Sequence, residues 1–163
     1  MRLTRRSLVL AAAAAATLVP ASTAIAHDDH GGHDRARNLL RAPIAGSLPT
    51  DPPIFGVAPG GAPWVVDRGS ARVRTDGRID VRVEGLVIPT APANGTNPVP
   101  RLSASLACNG MVVATTRTVP FSRAGNARIH QNIRIPKRCI APVVMLNPNG
   151  IKTVFIGITG TEE

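Results

Sequence analysis

Between Arg72 and Glu84 charged and apolar residues alternate around a single turn. Val73, Ile79, Val81 and Val83 fall on one side. Arg72, Arg74, Arg78, Asp80, Arg82 and Glu84 fall on the other. A period of two over that length predicts an antiparallel hairpin with one buried face. A two-residue Asp76-Gly77 loop would pair Arg74 with Ile79, mixing charge and apolar groups on one face, which a one-sided core forbids. A three-residue loop, Thr75-Asp76-Gly77, pairs Val73 with Ile79 and Arg72 with Asp80, and the faces agree. This predicts a type I turn closed by a left-handed glycine, a G1 bulge, with Gly77 supplying the positive φ.

The rest of the C-terminal hundred residues extends the pattern. The hairpin is expected as Val65–Thr75 and Arg78–Ile88. Asn109-Gly110 predicts a second, Leu102–Cys108 with Met111–Val119, placing Cys108 opposite Met111 and Leu106 opposite Val113. Ala127–Ile135 alternates again, with Ile129, Ile133 and Ile135 inward and Arg128, His130 and Arg134 outward. Pro142–Leu146 and Lys152–Thr159 flank the turn residues Asn147-Pro148-Asn149-Gly150. Seven strands with turns every eight to twelve residues predict an all-β, antiparallel β-sandwich of Ig-like architecture. The Cys–Trp–Cys order of true Ig domains is absent, because Trp64 precedes both cysteines.

Upstream, the character changes. Residues 1–26 read as a signal peptide: Arg2, Arg5 and Arg6, then an apolar run Leu8–Val19, then Ala24-Ile25-Ala26 as a cleavage site. That run is shorter than the roughly 20 residues a membrane span needs, so no transmembrane anchor is expected. Thr4-Arg5-Arg6-Ser7-Leu8 leaves twin-arginine and general secretion both open. Residues 27–63 read as a leader, first His/Asp-rich, then Pro/Gly-rich from Pro49 to Pro63, with 64–163 as the domain. Arg35–Arg41 is expected to form one helical turn around Leu39 and Leu40. The proline-rich part is expected to run extended and lay Ile54, Phe55 and Val57 against the domain. Cleavage after Ala26 removes three arginines from a net charge of +9, leaving 137 residues and +6. In an oxidising compartment Cys108 and Cys139 are expected to form one disulfide.

The run GGAPWVVDRGSARVRTDGRIDVRVEGLVIP, with the later CNGMVVATT, VPFS and NPNG pieces, resembles a group of small secreted actinobacterial proteins with no assigned activity. The resemblance covers most of the mature chain and implies an extracellular location.

Catalytic signatures are missing. No G-x-S-x-G, H-E-x-x-H or P-loop pattern occurs, and downstream of the leader His130 is the single histidine. Asp80 and Glu84 sit four residues apart on one strand, roughly 13 Å, beyond the ~5–9.5 Å of paired glycosidase carboxylates. A non-catalytic binding or structural module is therefore expected. Seventeen of the nineteen basic residues are Arg. Arg72, Arg74, Arg78 and Arg82 on one strand face, with Arg128 and Arg134 beyond, predict a positive surface for an anionic cell-wall polymer, or for another extracellular protein. Phe, Trp and Tyr make up only 2% of the chain, too few stacking platforms for specific nucleic-acid binding. The alternative is metal binding by the mature N-terminus. His27 would pair its free amine with its imidazole, and His30 and His33 could complete a copper or zinc shell.

Overall fold

The computed structural model describes residues 36–161. The expected signal peptide 1–26 and the residues His27, His30 and His33 lie outside that range. The described residues contain strands and turns but no helix, so among them no helix could cross a membrane.

Eleven strands follow in order: β1 Asn38–Gly46, β2 Ala58–Pro59, β3 Arg68–Arg74, β4 Arg78–Glu84, β5 Arg101–Cys108, β6 Met111–Thr115, β7 Val119–Pro120, β8 Ala127–Asn132, β9 Val143–Pro148, β10 Val154–Phe155 and β11 Gly157–Thr159. Nine of them make one curled antiparallel sheet in the order β6-β5-β9-β11-β1-β3-β4-β8, with β7 also on β5. The short β2 and β10 pair in parallel by themselves.

The joining strand is β1, and it corrects the sequence reading. Arg35–Arg41 was expected to turn helically within a leader, yet Asn38–Gly46 is a strand in the middle of the sheet. Its first part pairs with β3, Arg41 opposite Arg72 and Pro43 opposite Ser70. Its end pairs with β11, Ile44 opposite Thr159 and Gly46 opposite Gly157. Pro43 has no N–H to give a ladder, and it stands at the handover between the two partners, where the loss matters least. An extra residue between Asn38 and Leu40 makes a bulge, which hides the period of two from sequence inspection.

The first hairpin matches expectation. Val73 faces Ile79, Arg72 faces Asp80, and the Gly77 N–H donates to the Arg74 carbonyl at 3.0 Å. Gly77 has φ +92°, and a Cβ there would come within 2.4 Å of the Ile133 oxygen. Val73, Ile79, Val81 and Val83 are all buried. The regular ladder ends at Arg68 and Glu84, where Gly85 takes φ +68°, and the pairing returns in the same register as an isolated bridge between Val65 and Val87. In the second hairpin Cys108 faces Met111 as expected. A bulge then moves the register, so Leu106 faces Ala114 and not Val113. Lys152–Thr159 is not one strand. It divides into β10, which turns to β2, and β11, which returns to β9.

Burial divides the sheet into two halves. One main core contains Val73, Ile79, Val83, Leu102, Leu106, Ile129 and Leu146. A smaller one, Val57, Ala107, Met145 and Phe155, lies on the other side of β5 and β9. There the proline-rich segment acts as a cover. Val57 is buried and Ile54 packs at the margin, but Phe55 points out at φ +49°. Under this cover Ser105 donates to Asn147, whose amide donates to the Val154 carbonyl at 2.8 Å. So β5 and β9 are buried on both faces, whereas β3, β4 and β8 keep one face open to solvent.

Cys108 and Cys139 form a disulfide, with Cα atoms 4.9 Å apart. The Asn109 side chain reinforces it. Its Nδ2 donates to the Arg138 carbonyl and its Oδ1 accepts from the Ile140 N–H, both at 3.0 Å. Together they fasten the β8–β9 connection to the tip of the β5–β6 hairpin.

Candidate anion-binding face

The open half of the sheet displays outward residues in cross-strand rows. One row runs Arg41, Arg72, Asp80, His130 across β1, β3, β4 and β8. The next runs Pro43, Ser70, Arg82, Arg128. Toward the turn lie Arg74 and Arg78, and at the far end Arg68 faces Glu84. Seven arginines thus share these strands with two outward carboxylates, Asp80 and Glu84, a net charge of +5. Rows along a strand repeat every two residues, about 6.7 Å, and neighbouring strands lie about 4.8 Å apart.

The four arginines predicted from the hairpin are brought together, but they are not equivalent. Arg74 is half-buried and its Nη2 donates to the Ala36 carbonyl at 3.1 Å. Arg72 Nε donates to Asn38 Oδ1 at 2.7 Å, which leaves its remaining N–H groups outward. Arg82 is bonded to Glu84. Arg78 has no side-chain hydrogen bond or ion pair among the described residues. Arg134 lies beyond the end of β8 and is not on the ladder. Arg41 and Arg68 were not anticipated. Arg41 was assigned to the leader, and only the pairing of β1 with β3 brings it to this face. Neither Arg41 nor Arg128 has a hydrogen bond or ion pair from its side chain among the described residues.

Arg82 sits directly opposite Arg128. Like charges in that position destabilise a sheet, and Glu84 offsets the repulsion. The hydrogen bond from Arg82, with the nearby charges of Arg68 and Arg128, holds the Glu84 carboxyl below its ordinary value of 4.5. A depressed carboxylate pKa means that the native state binds fewer protons than the unfolded chain. Glu84 therefore supports stability fully above about pH 4.5, and that support is lost as pH falls through its native pKa. In an NMR titration Arg82→Gln is expected to move the Glu84 midpoint upward, toward 4.5. An unmoved midpoint would contradict the assignment of Arg82 as its main partner.

His130 Nδ1 is hydrogen-bonded to Asp80 Oδ1, and Ser70 lies on the same face. No spacing in the sequence points to a Ser, a His and an Asp meeting here. The register separates the serine from the imidazole. Ser70 is on β3 and His130 two strands away on β8, about 10 Å across the sheet, and the two sit in different rows. A nucleophile and its base need hydrogen-bond reach, ~2.6–3.2 Å, so this group lacks the contact that acyl transfer requires.

A larger cavity, about 650 Å³, lies under the loop after Ile88, walled by Pro92, Pro98, Pro100 and Phe121. One charged side chain, Arg123, borders it, so it offers no concentration of chemistry comparable to the arginine face. Among the described residues no group of three His, Cys, Asp or Glu is placed to hold a metal ion. Comparison with protein-family models, with curated proteins and with solved structures returns no match to this chain.

Proposed function

We propose that this is an exported, non-catalytic binding module whose open arginine face meets an anionic polymer at the cell surface. One observation carries the reading: seven arginines against two carboxylates on the half of the sheet that no other described segment covers. The opposite half is covered by Val57 and Phe155 and carries no such charge. A face that served solubility alone would mix both signs. The Ig-like, two-layer description of the scaffold belongs to the same proposal. In its support, β1 changes partner from β3 to β11 near Pro43 and Ile44, as a strand does at the corner of a sandwich. Export, with the resemblance to small secreted proteins, places the face where wall polymers are the abundant polyanions.

The test is retention on an immobilised phosphate-rich polymer. Arg41, Arg78 and Arg128 are replaced together by Gln, because their guanidiniums have no protein partner to lose among the described residues. The triple variant is expected to elute at markedly lower salt, since each neutralised phosphate contributes to the salt dependence. Its unfolding midpoint is expected to stay close to that of the parent, as exposed substitutions usually move stability by within ~0.5 kcal/mol each. Elution at the parental salt concentration would remove the face from the binding function.

A further inference from the structure

The arginine face is not uniform. Around Ser70 it sinks into an open depression of about 480 Å³, bordered by Arg41, Arg72, Arg82 and Arg128. The cause is local. Ser70 stands between Pro43 and Arg82 in its row, and its short side chain leaves the space that a long one would fill. Four guanidiniums from four different strands therefore surround one hollow with a hydroxyl at its base. Asp80 borders it and Glu84 is bound to Arg82, so the surrounding charge is +2.

The geometry points to a site for a phosphomonoester dianion in this depression, a conclusion that rests on reading the face as anion-binding. A phosphomonoester carries about −1.5 to −2 charge at neutral pH and presents three acceptor oxygens. A carboxylate or a phosphodiester is a monoanion with two such oxygens, which a single guanidinium fork can satisfy. Arg41 and Arg128 come from the opposite outer strands of the four, with side-chain N–H groups uncommitted among the described residues, and Arg72 retains all but its Nε. No lysine takes part. The cation set is wholly the planar, five-donor kind that matches phosphate oxygens in pairs. The anion also adds to the relief that Glu84 gives a like-charge pair in the free protein. Arg82 and Arg128 are directly opposed, and a dianion between them converts repulsion into a shared partner. Free phosphate esters, the phosphorylated end of a polymer and a phosphatidate headgroup all present this same group.

Calorimetric titration of the folded, disulfide-bonded protein with glycerol 1-phosphate and with dimethyl phosphate tests the site. The monoester is expected to bind at least tenfold more tightly than the diester and to raise the melting temperature. Ser70→Leu fills the depression while leaving every arginine in place. It is expected to lose at least tenfold in monoester affinity, while Arg123→Gln, away from this face, leaves the affinity unchanged. Equal affinity for the two esters, or parental affinity in Ser70→Leu, would overturn the site. Should Ser70→Leu fail to fold, Arg128→Gln provides the same test, with loss of the monoester preference expected and its retention fatal. Salt-dependent retention of Ser70→Leu on the polymer separates the two ideas, because that variant keeps the whole arginine face. A failed site with intact retention leaves the broader function standing. Phosphatidate vesicles binding more tightly than glycerol 1-phosphate would support the site with a lipid as its source. Equal affinity would support it with the soluble ester.

Discussion

A chain that begins at Trp64 is expected not to fold, whereas one that begins at Ala36 is expected to unfold cooperatively. The difference is β1 and the cover. Without Asn38–Gly46 the ladder loses the strand that connects β3 to β11, so the curled sheet falls into two pieces. Ile44 and Val57 are nearly fully buried, and each contributes roughly 1.5–3 kcal/mol. The backbone hydrogen bonds along both flanks of β1 contribute a further ~0.5–1.5 kcal/mol each. Gly46 shows how tightly β1 is built in: a Cβ there would lie 2.0 Å from the Trp64 carbonyl oxygen. Against a total stability of about 5–15 kcal/mol for a typical domain, these losses together are decisive. Circular dichroism during urea titration reads the outcome. A cooperative transition in the 64–163 chain at the midpoint of the 36–163 chain would contradict the central position of β1.

Replacing Cys108 and Cys139 together by Ala is expected to lower stability by about 3.7 kcal/mol. The bridge closes a sequence separation of 31 residues, and the chain-entropy relation gives ~3.7 kcal/mol for a loop of that size at 25 °C. The stretch around Cys139 has little else to hold it. Between β8 and β9 the chain passes through Lys137, Arg138 and Ile140, all exposed, with Asn109 as its principal polar anchor. Removing the bridge enlarges the unfolded ensemble but leaves the Asn109 bonds, so the native fold is expected to persist at lower stability. With a urea slope of roughly 1–3 kcal/mol per molar, the midpoint is expected to fall by on the order of 1–4 M. An unchanged midpoint would show that the cross-link does not constrain the unfolded chain as the separation requires.

The sequence was most legible where alternation and turn chemistry agreed. Around Gly77 the faces of two strands and the Arg72–Asp80 pair could be derived because a one-residue slip would have buried charge. Beyond Cys108 the turn was readable from Asn109-Gly110, but the bulge at Val113 was not, because a bulge adds a residue without a distinctive residue type. β1 was missed for two physical reasons. Its bulge breaks the period, and Pro43 argues against a central strand unless the partner change at that point is known. The candidate site suffered accordingly. Arg72, Arg78 and Arg82 were legible as a stripe, but Arg41 could join them only through a pairing across some thirty residues. Ser70 gave no signal at all, since its importance is the space its side chain leaves. Arg74 looked equivalent to its neighbours and is in fact directed toward Ala36.

The most direct measurement is an amide chemical-shift map of the folded protein titrated with a soluble phosphate-rich polymer at moderate salt. Binding through the arginine face is expected to shift amides of Arg41, Ser70, Arg72, Asp80, Arg82 and Arg128, with the shifts diminishing as salt rises. Shifts confined to the Met111 and Ile140 edge, or to the loop around Pro92 and Pro98, would contradict it.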